Sequence, residues 1–161
     1  MRDAGSWAIE FRLYKHDLTN GTFKLVKEIK DQGLKSSPGI MVLSPSESNP
    51  QLSTGKRYRW QIELVCNSTR PSSNLFAESE LEVVPMPLKL RTQLSATRDR
   101  LNQANIYASA NLWYDALGTV LTQSSDSTSM RELRFSLLDT VAVDTIERGV
   151  LRKSAIYQIQ R

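Results

Sequence analysis

The sequence predicts an α+β fold, in which an N-terminal antiparallel β-sheet or half-sandwich (residues 6–84) is followed by a C-terminal three-helix segment (residues 88–147) packed against it. Apolar and polar residues alternate in four stretches of the first half, which is typical of strands buried on one face. Beyond the sheet region the apolar spacing becomes three and four residues, which is typical of amphipathic helices. We therefore expect one compact domain with a tail at residues 148–161.

Composition excludes several classes of function. The 161 residues are 40% hydrophobic and 24% charged, as in an ordinary globular domain. The net charge of +4 is spread along the chain, so it indicates no nucleic-acid partner. One cysteine, Cys66, and one histidine, His16, leave no internal disulfide and no Cys- or His-based metal site. We expect no membrane span, because no run approaches the roughly 20 apolar residues required, and no motif indicates a cofactor.

The first three strands follow from alternation and turn chemistry. A first strand begins at Trp7, whose apolar side continues through Ile9, Phe11 and Leu13. The pair Asn20-Gly21 accepts positive φ angles and predicts a hairpin turn. A second strand returns over Phe23–Ile29, and the short apolar run Ile40–Leu43 predicts a third.

The central strand of the predicted sheet is Lys56–Cys66, which reads KRYRWQIELVC. One face carries apolar side chains (Tyr58, Trp60, Ile62 and Leu64), and the other carries polar ones (Arg59, Gln61 and Glu63). Basic and aromatic residues also mix in nucleic-acid binders. Here the two types point to opposite faces of a strand, so the rings belong to the core and the cations to the surface.

A further strand over Leu75–Val84 is expected to pair with the central one. Pairing that places Trp60 opposite Leu81 and Arg59 opposite Glu82 makes both faces consistent. Leu75, Ala77, Leu81 and Val83 would then point inward. The outward row of Glu78, Glu80 and Glu82 resembles a cation site, but exposed strand faces are usually charged, so we interpret it as a solvent face.

The helical region begins after Pro85-Met86-Pro87, which ends the ladder. Two helices are predicted to meet near Asn111, whose side chain can cap the second. Ser129 followed by Glu132 forms a capping box that opens a third helix. The end of the chain, from Arg148, fits a short strand, a helix or a docked tail.

Two segments carry a resemblance to a known family. GKRYRWQIELVCN and the later IYASANLWYDAL resemble the cyanobacterial domain-of-unknown-function family 928. The matching residues are Tyr58, Trp60, Val65, Cys66, Tyr107, Ala108, Trp113, Tyr114, Asp115, Ala116, Leu117, Leu137 and Leu138. Departures are Asn67 for the usual Asp, Asn111 near the usual Gly, and Leu133 or a neighbour for the usual Trp. Locally, Tyr107–Leu117 also resembles one tetratricopeptide hairpin, although a solenoid needs about three repeats.

The family resemblance implies a location but no activity. Members usually carry an export leader and an upstream strand, which this sequence lacks, so the resemblance implies a truncated chain from the periplasm or the extracellular space. A chain complete as given would be cytoplasmic. The family has no assigned reaction, cofactor or partner.

The candidate site residues are Trp113, Tyr114 and Asp115. They could line a pocket for a small ligand or glycan in a cleft between the sheet and the helices. Alternatively, Trp113 fills the gap between the helices and the sheet, and Asp115 lies in the first turn of a helix, where the dipole favours a carboxylate. A nucleophilic Cys66 with His16 is disfavoured, because Cys66 ends an apolar strand.

We predict no catalytic residues and no enzyme. The sequence predicts a non-catalytic protein-interaction or structural module whose partner is another protein, or alternatively a ligand-binding domain; its oligomeric state is left open.

Overall fold

A computed structural model describes residues 6–43, 52–122 and 127–159, and within them it contains six strands and five α-helices. Their bounds are β1 Ala8–Asp17, β2 Thr22–Lys35, β3 Ile40–Leu43, β4 Arg57–Val65, β5 Leu75–Glu82, α1 Leu88–Ala96, α2 Arg100–Ser109, α3 Trp113–Leu121, α4 Thr128–Asp139, α5 Thr145–Lys153 and β6 Ile156–Ile159. The predicted α+β class, with an antiparallel sheet followed by helices, is confirmed. None of these helices has the length and apolar character needed to cross a membrane.

The chain divides into two compact units. The first holds β1, β2, β4 and β5, which form one sheet in the order β2-β1-β4-β5 with every neighbouring pair antiparallel. The predicted central strand is confirmed, because β4 lies between β1 and β5. The hairpin turn is also as predicted, with Gly21 at a φ of 68°. β2 is twice as long as its predicted span and ends beyond the buried Leu34.

The predicted register between β4 and β5 is wrong by two residues. Trp60 lies opposite Ser79 rather than Leu81, and Glu82 lies opposite Arg57 rather than Arg59. A shift of two preserves both faces, so alternation could not distinguish the two registers. The observed register places an acidic partner opposite each arginine, since Arg59 lies opposite Glu80.

β5 is more exposed than the sequence indicated. Leu75 and Ala77 were expected to point into the core, but both are exposed, Leu75 by 64% of its surface. The reason is topological, because β5 is an edge strand, with β4 as its one neighbour among the strands that the structure describes. The buried apolar side chains of the sheet are those of Ile9, Leu13, Leu34 and Tyr58.

The second unit contains the helices, which pack in sequence: α1 on α2, α2 on α3, α3 on α4 and α4 on α5. Ala104 and Ala116 are completely buried at its core, together with Val120, Met130 and Leu137. The sequence indicated three helices and the structure has five. The added boundaries come from local capping, because Asp99 accepts from the backbone N–H of Asn102 at the start of α2 and Asp144 starts α5 in the same way.

Two predicted caps are corrected. Asn111 does not cap α3, which begins after Leu112 without a side-chain cap. Asn111 instead has a φ of 59°, the left-handed conformation that glycine adopts freely and asparagine tolerates. The helix α4 begins after Ser127, whose hydroxyl accepts from the Met130 N–H at 3.2 Å, so the predicted capping box from Ser129 lies inside the helix.

The predicted third strand is confirmed as a strand but belongs to the second unit. β3 pairs in parallel with β6, from Ile40 opposite Ile156 to Leu43 opposite Ile159. The tail that the sequence left open is therefore the end of α5 followed by a strand. Gly39 makes this pairing possible, because a Cβ there would lie 2.5 Å from the carbonyl oxygen of Ala155.

Candidate functional site

The polar face of the sheet is organised around Arg12. Its guanidinium donates to Glu28 at 2.9 Å and to Glu63 at 2.8 Å, and it also pairs with Glu10. Lys30 lies 3.2 Å from Glu10, so the cluster holds three carboxylates and two cations. The hydrogen bond from Arg12 lowers the pKa of Glu63 and raises the pKa of Arg12 itself. All three carboxylates are paired, and the lowered pKa of Glu63 favours its ionised form, which suits a structural role better than a general base. We refer to these five residues as the Arg12 network.

The acidic row of β5 is compensated across the sheet. Glu82 accepts from Arg57 at 3.1 Å. Glu80 accepts from Arg59 at 2.7 Å, and this bond lowers the pKa of Glu80. Glu78 accepts from the amide of Gln61 at 2.9 Å. Across the described ranges, no group of three or more Asp, Glu, His or Cys side chains is arranged to hold a metal ion.

Trp113 is committed to the packing of its own unit. Its indole N–H lies 3.1 Å from the carbonyl oxygen of Leu137 and 3.1 Å from the hydroxyl of Thr140. Both acceptors lie at the end of α4, so the indole ties the start of α3 to that end. The side chain also packs against the buried core formed by Ala104 and Ala116.

Tyr114 and Asp115 differ from Trp113 because they are exposed. The Tyr114 ring meets the Trp113 ring edge to face at 5.0 Å and is 45% exposed. Asp115 lies in the first turn of α3, as the sequence suggested. Desolvation of its carboxyl group raises the pKa of Asp115, and no cation of the described chain forms an ion pair with it. The three residues are neighbours, and only two of them are available to a ligand.

A shallow depression of about 470 Å³ lies elsewhere on the helical unit, between α1 and α2. Neutral side chains line it, among them Gln93, Asn102 and Asn105 around Leu90. The predicted site residues are not part of it. A charged ligand would find no ionic partner among its lining residues.

The cysteine–histidine pair considered from the sequence is separated by the sheet. Cys66 follows the end of β4, where Val65 lies opposite Ala8. His16 lies at the other end of β1, stacked on Phe23 at 4.7 Å between ring centroids. Eight residues of extended strand correspond to roughly 26 Å. The two side chains therefore cannot act together.

Two exposed apolar surfaces were not singled out from the sequence. The first is the α5 apolar face, made of Val143, Ile146 and Val150, which are 90%, 77% and 57% exposed. The second is the start of β5, where Leu75 and Phe76 are 64% and 71% exposed. The spacings of three and four residues around the Asp144 cap give α5 a clear amphipathic pattern, which could have revealed this face from the sequence.

Comparison with known proteins places the chain in a family. The family model described as Domain of Unknown Function (DUF928) matches residues 6–149. No curated protein and no solved structure matches the chain. The match spans the sheet and most of the helical unit. The chain belongs to the DUF928 family.

Proposed function

We propose that this chain is a non-catalytic protein-interaction module of a cyanobacterial envelope. The observation that carries the proposal is the α5 apolar face. Helices that bind grooves present apolar anchors one turn apart, as Ile146 and Val150 do. No side chain of α5 is buried, so these anchors contribute little to the core of their own unit.

The size of the α5 apolar face suits a partner. Burying an aliphatic side chain contributes roughly 1.5–3 kcal/mol, so three largely exposed ones offer on the order of 4 kcal/mol. A micromolar complex requires about 8 kcal/mol after the costs of association. The face would therefore supply the apolar centre of an interface, with polar contacts around it.

α5 is held in place by ionic contacts rather than by burial. Asp139 at the end of α4 pairs with Arg152, and Arg148 lies 3.6 Å from the same carboxylate. The hydrogen bond from Arg152 lowers the pKa of Asp139. Such a clamp presents the apolar face in one orientation, which reduces the entropy lost on binding.

The cyanobacterial and envelope parts of the proposal rest on the family resemblance. The tetratricopeptide-like character of the α2–α3 pair is supported by its small buried residues, Ala104 and Ala116, which let the two helices approach closely. Fusion of the gene's own upstream region to alkaline phosphatase tests the location, because that reporter is active only after export. An inactive fusion in a cyanobacterial host would argue for the cytoplasm.

The test of the interaction is affinity capture from envelope extract with three baits. The wild-type chain should retain a stoichiometric protein, and a variant with Ile146→Gln and Val150→Gln should lose it. Leu88→Gln is the matched control, because Leu88 is 76% exposed on another helix. The proposal would be contradicted if all three baits retained the same amount of the protein, or if no bait retained a protein partner.

A second candidate is a small-ligand or glycan site at Tyr114 and Asp115, next to Trp113. The favouring observation is a half-exposed ring beside a carboxylate without an ion pair in the described chain. An aromatic ring and a carboxylate together suit a sugar face and its hydroxyls. Tyr114→Ala should then abolish retention on a glycan array. Glycan retention by the Tyr114→Ala variant equal to that of the wild type would count against this site.

A further inference from the structure

We propose that the free edge of β5 is a docking edge for an extended peptide segment that carries Lys or Arg at alternate positions. The inference rests on the proposed interaction function and gives it a second surface and a partner chemistry. It follows from the geometry of the edge, from the side chains at its start and from the charge along one face.

The two edges of the sheet are built differently. β2 carries two register shifts against β1 and four lysines, which are common devices against unwanted pairing. β5 pairs with β4 without a shift over all eight of its residues, and it contains no proline, glycine or lysine. Within the described ranges β5 has no second neighbouring strand. A regularly paired strand with one free side is the template that strand addition uses.

Apolar side chains mark the start of this edge. Leu75 and Phe76 are adjacent, so they point to opposite faces of the sheet. An added strand would cover part of both, because side chains on neighbouring strands lie about 5 Å apart. Large exposed apolar groups on both faces of a strand end serve no purpose in the core of the sheet.

The charge along the edge defines the partner. Glu78, Glu80 and Glu82 share one face and are spaced at roughly 7 Å. Each uses one oxygen toward β4, and the other oxygen has no bond within the described chain. A partner strand with lysine or arginine at every second position would place a cation beside each free oxygen.

A second copy of the chain fits this edge poorly. Antiparallel pairing of two β5 strands about Ser79 places Glu78 of each copy opposite Glu80 of the other. Like charges directly opposite destabilise a strand pair. The same acidic row therefore disfavours self-association and favours a basic segment.

The test uses a nine-residue peptide of alternating lysine and valine, labelled with a fluorophore and titrated into the full chain by anisotropy. The first control is a peptide of the same composition in which the lysines and the valines form separate blocks. Two further peptides carry N-methyl groups on the valines or on the lysines. Edge pairing uses the amides of alternate residues, so one methylated peptide should lose binding and the other should keep it. The bound peptide should also slow amide exchange in β5 and leave β2 unchanged.

Protein variants complete the test. Glu78→Lys should weaken the peptide roughly tenfold, because it replaces an attraction by a repulsion. Glu132→Lys is the matched control, since Glu132 is exposed on α4 and makes no bond within the described chain, and it should leave the affinity unchanged. Equal binding of both methylated peptides, an unchanged affinity of the Glu78 variant or no binding would overturn the inference. So would concentration-dependent self-association that protects β5.

The two proposals fail separately. A protein partner lost with the α5 changes, together with no peptide binding at β5, would overturn the docking edge and leave the interaction function. Peptide binding as expected with no captured protein would overturn the α5 interface and leave the edge. Each outcome therefore decides one surface.

Discussion

Replacement of Arg12 by methionine is the sharpest test of the sheet unit. Methionine keeps an apolar stem of similar length and removes the guanidinium. Three carboxylates, Glu10, Glu28 and Glu63, would then lose the cation they share, and Lys30 would be the cation left in the Arg12 network. Their side chains are only 14–39% exposed, so water compensates them incompletely.

The expected cost is about 2 kcal/mol of unfolding free energy. Hydrogen bonds to charged groups contribute roughly 1.5–3 kcal/mol when buried, whereas exposed ion pairs contribute about 0.2–1 kcal/mol. Arg12 is 20% exposed and lies between these limits. In a unit of this size such a cost lowers the melting temperature by roughly 8–16 °C. Arg57→Met is the matched control, because Arg57 is 58% exposed in its pair, and it should cost only a few tenths of a kcal/mol.

Urea unfolding followed by tryptophan fluorescence measures both variants, since Trp7 and Trp60 lie in the sheet unit. The difference between wild type and Arg12→Met should be complete at pH 7. The pKa of folded Glu63 is lowered below its ordinary value of 4.5, so its stabilisation is present above that pH and is lost as the pH falls through the folded pKa. Equal costs for the two arginine variants at pH 7, or a cost that grows in acid, would refute the reasoning.

Four other substitutions test the helical unit. Asp139→Asn should speed amide exchange in α5, because the variant loses the charged partner of Arg152. The wild type should show the same faster exchange below pH 3.8, because Arg152 lowers the pKa of Asp139 below that value. Unchanged exchange would show that this ion pair is not needed to hold α5. Trp113→Phe should cost about 1–2 kcal/mol of unfolding free energy in urea, because Leu137 and Thr140 lose the indole N–H that donates to them. An unchanged unfolding free energy would contradict this. Gly39→Ala should lower the melting temperature, since its Cβ would lie 2.5 Å from a backbone oxygen at a φ of 138°, whereas Gly118→Ala, with open space in a helix, should raise it. A higher melting temperature for Gly39→Ala, or a lower one for Gly118→Ala, would contradict these two predictions.

Alternation was sufficient to predict the strands of the sheet and insufficient to pair them. A residue's face depends only on whether its position is odd or even, so Tyr58 and Arg59 could be assigned from the sequence. Registers that differ by two are equivalent by that criterion. The choice between them depends on the reach of arginine side chains across the ladder, as in the pair of Arg59 with Glu80. The parallel pairing of β3 with β6 has no local signal at all, because the helices separate the two strands in the chain.

The sequence indicated the three candidate residues and the helix they start, but it could not distinguish their separate roles. The position of Asp115 in the first turn of a helix follows from the local pattern. The role of Trp113 depends on acceptors at Leu137 and Thr140, which a distant helix supplies. The α5 apolar face was missed for a related reason. The local pattern predicts which side chains share one face of α5. Whether that face is covered depends on the other elements that pack on it, and the local sequence does not report this.

The two edges of the sheet differ in how they are protected against unwanted pairing, and this difference favours a binding role for β5. A chain selected only to stay monomeric would protect both edges in the same way, because either one can template aggregation. β2 has register shifts and lysines, and β5 has neither. The acidic row on β5 nevertheless disfavours pairing of this strand with a second copy of itself, because like charges would lie opposite each other. An edge that rejects its own copy and keeps Leu75 and Phe76 exposed has the features of a selective surface, since specificity requires a repulsive element as well as an attractive one.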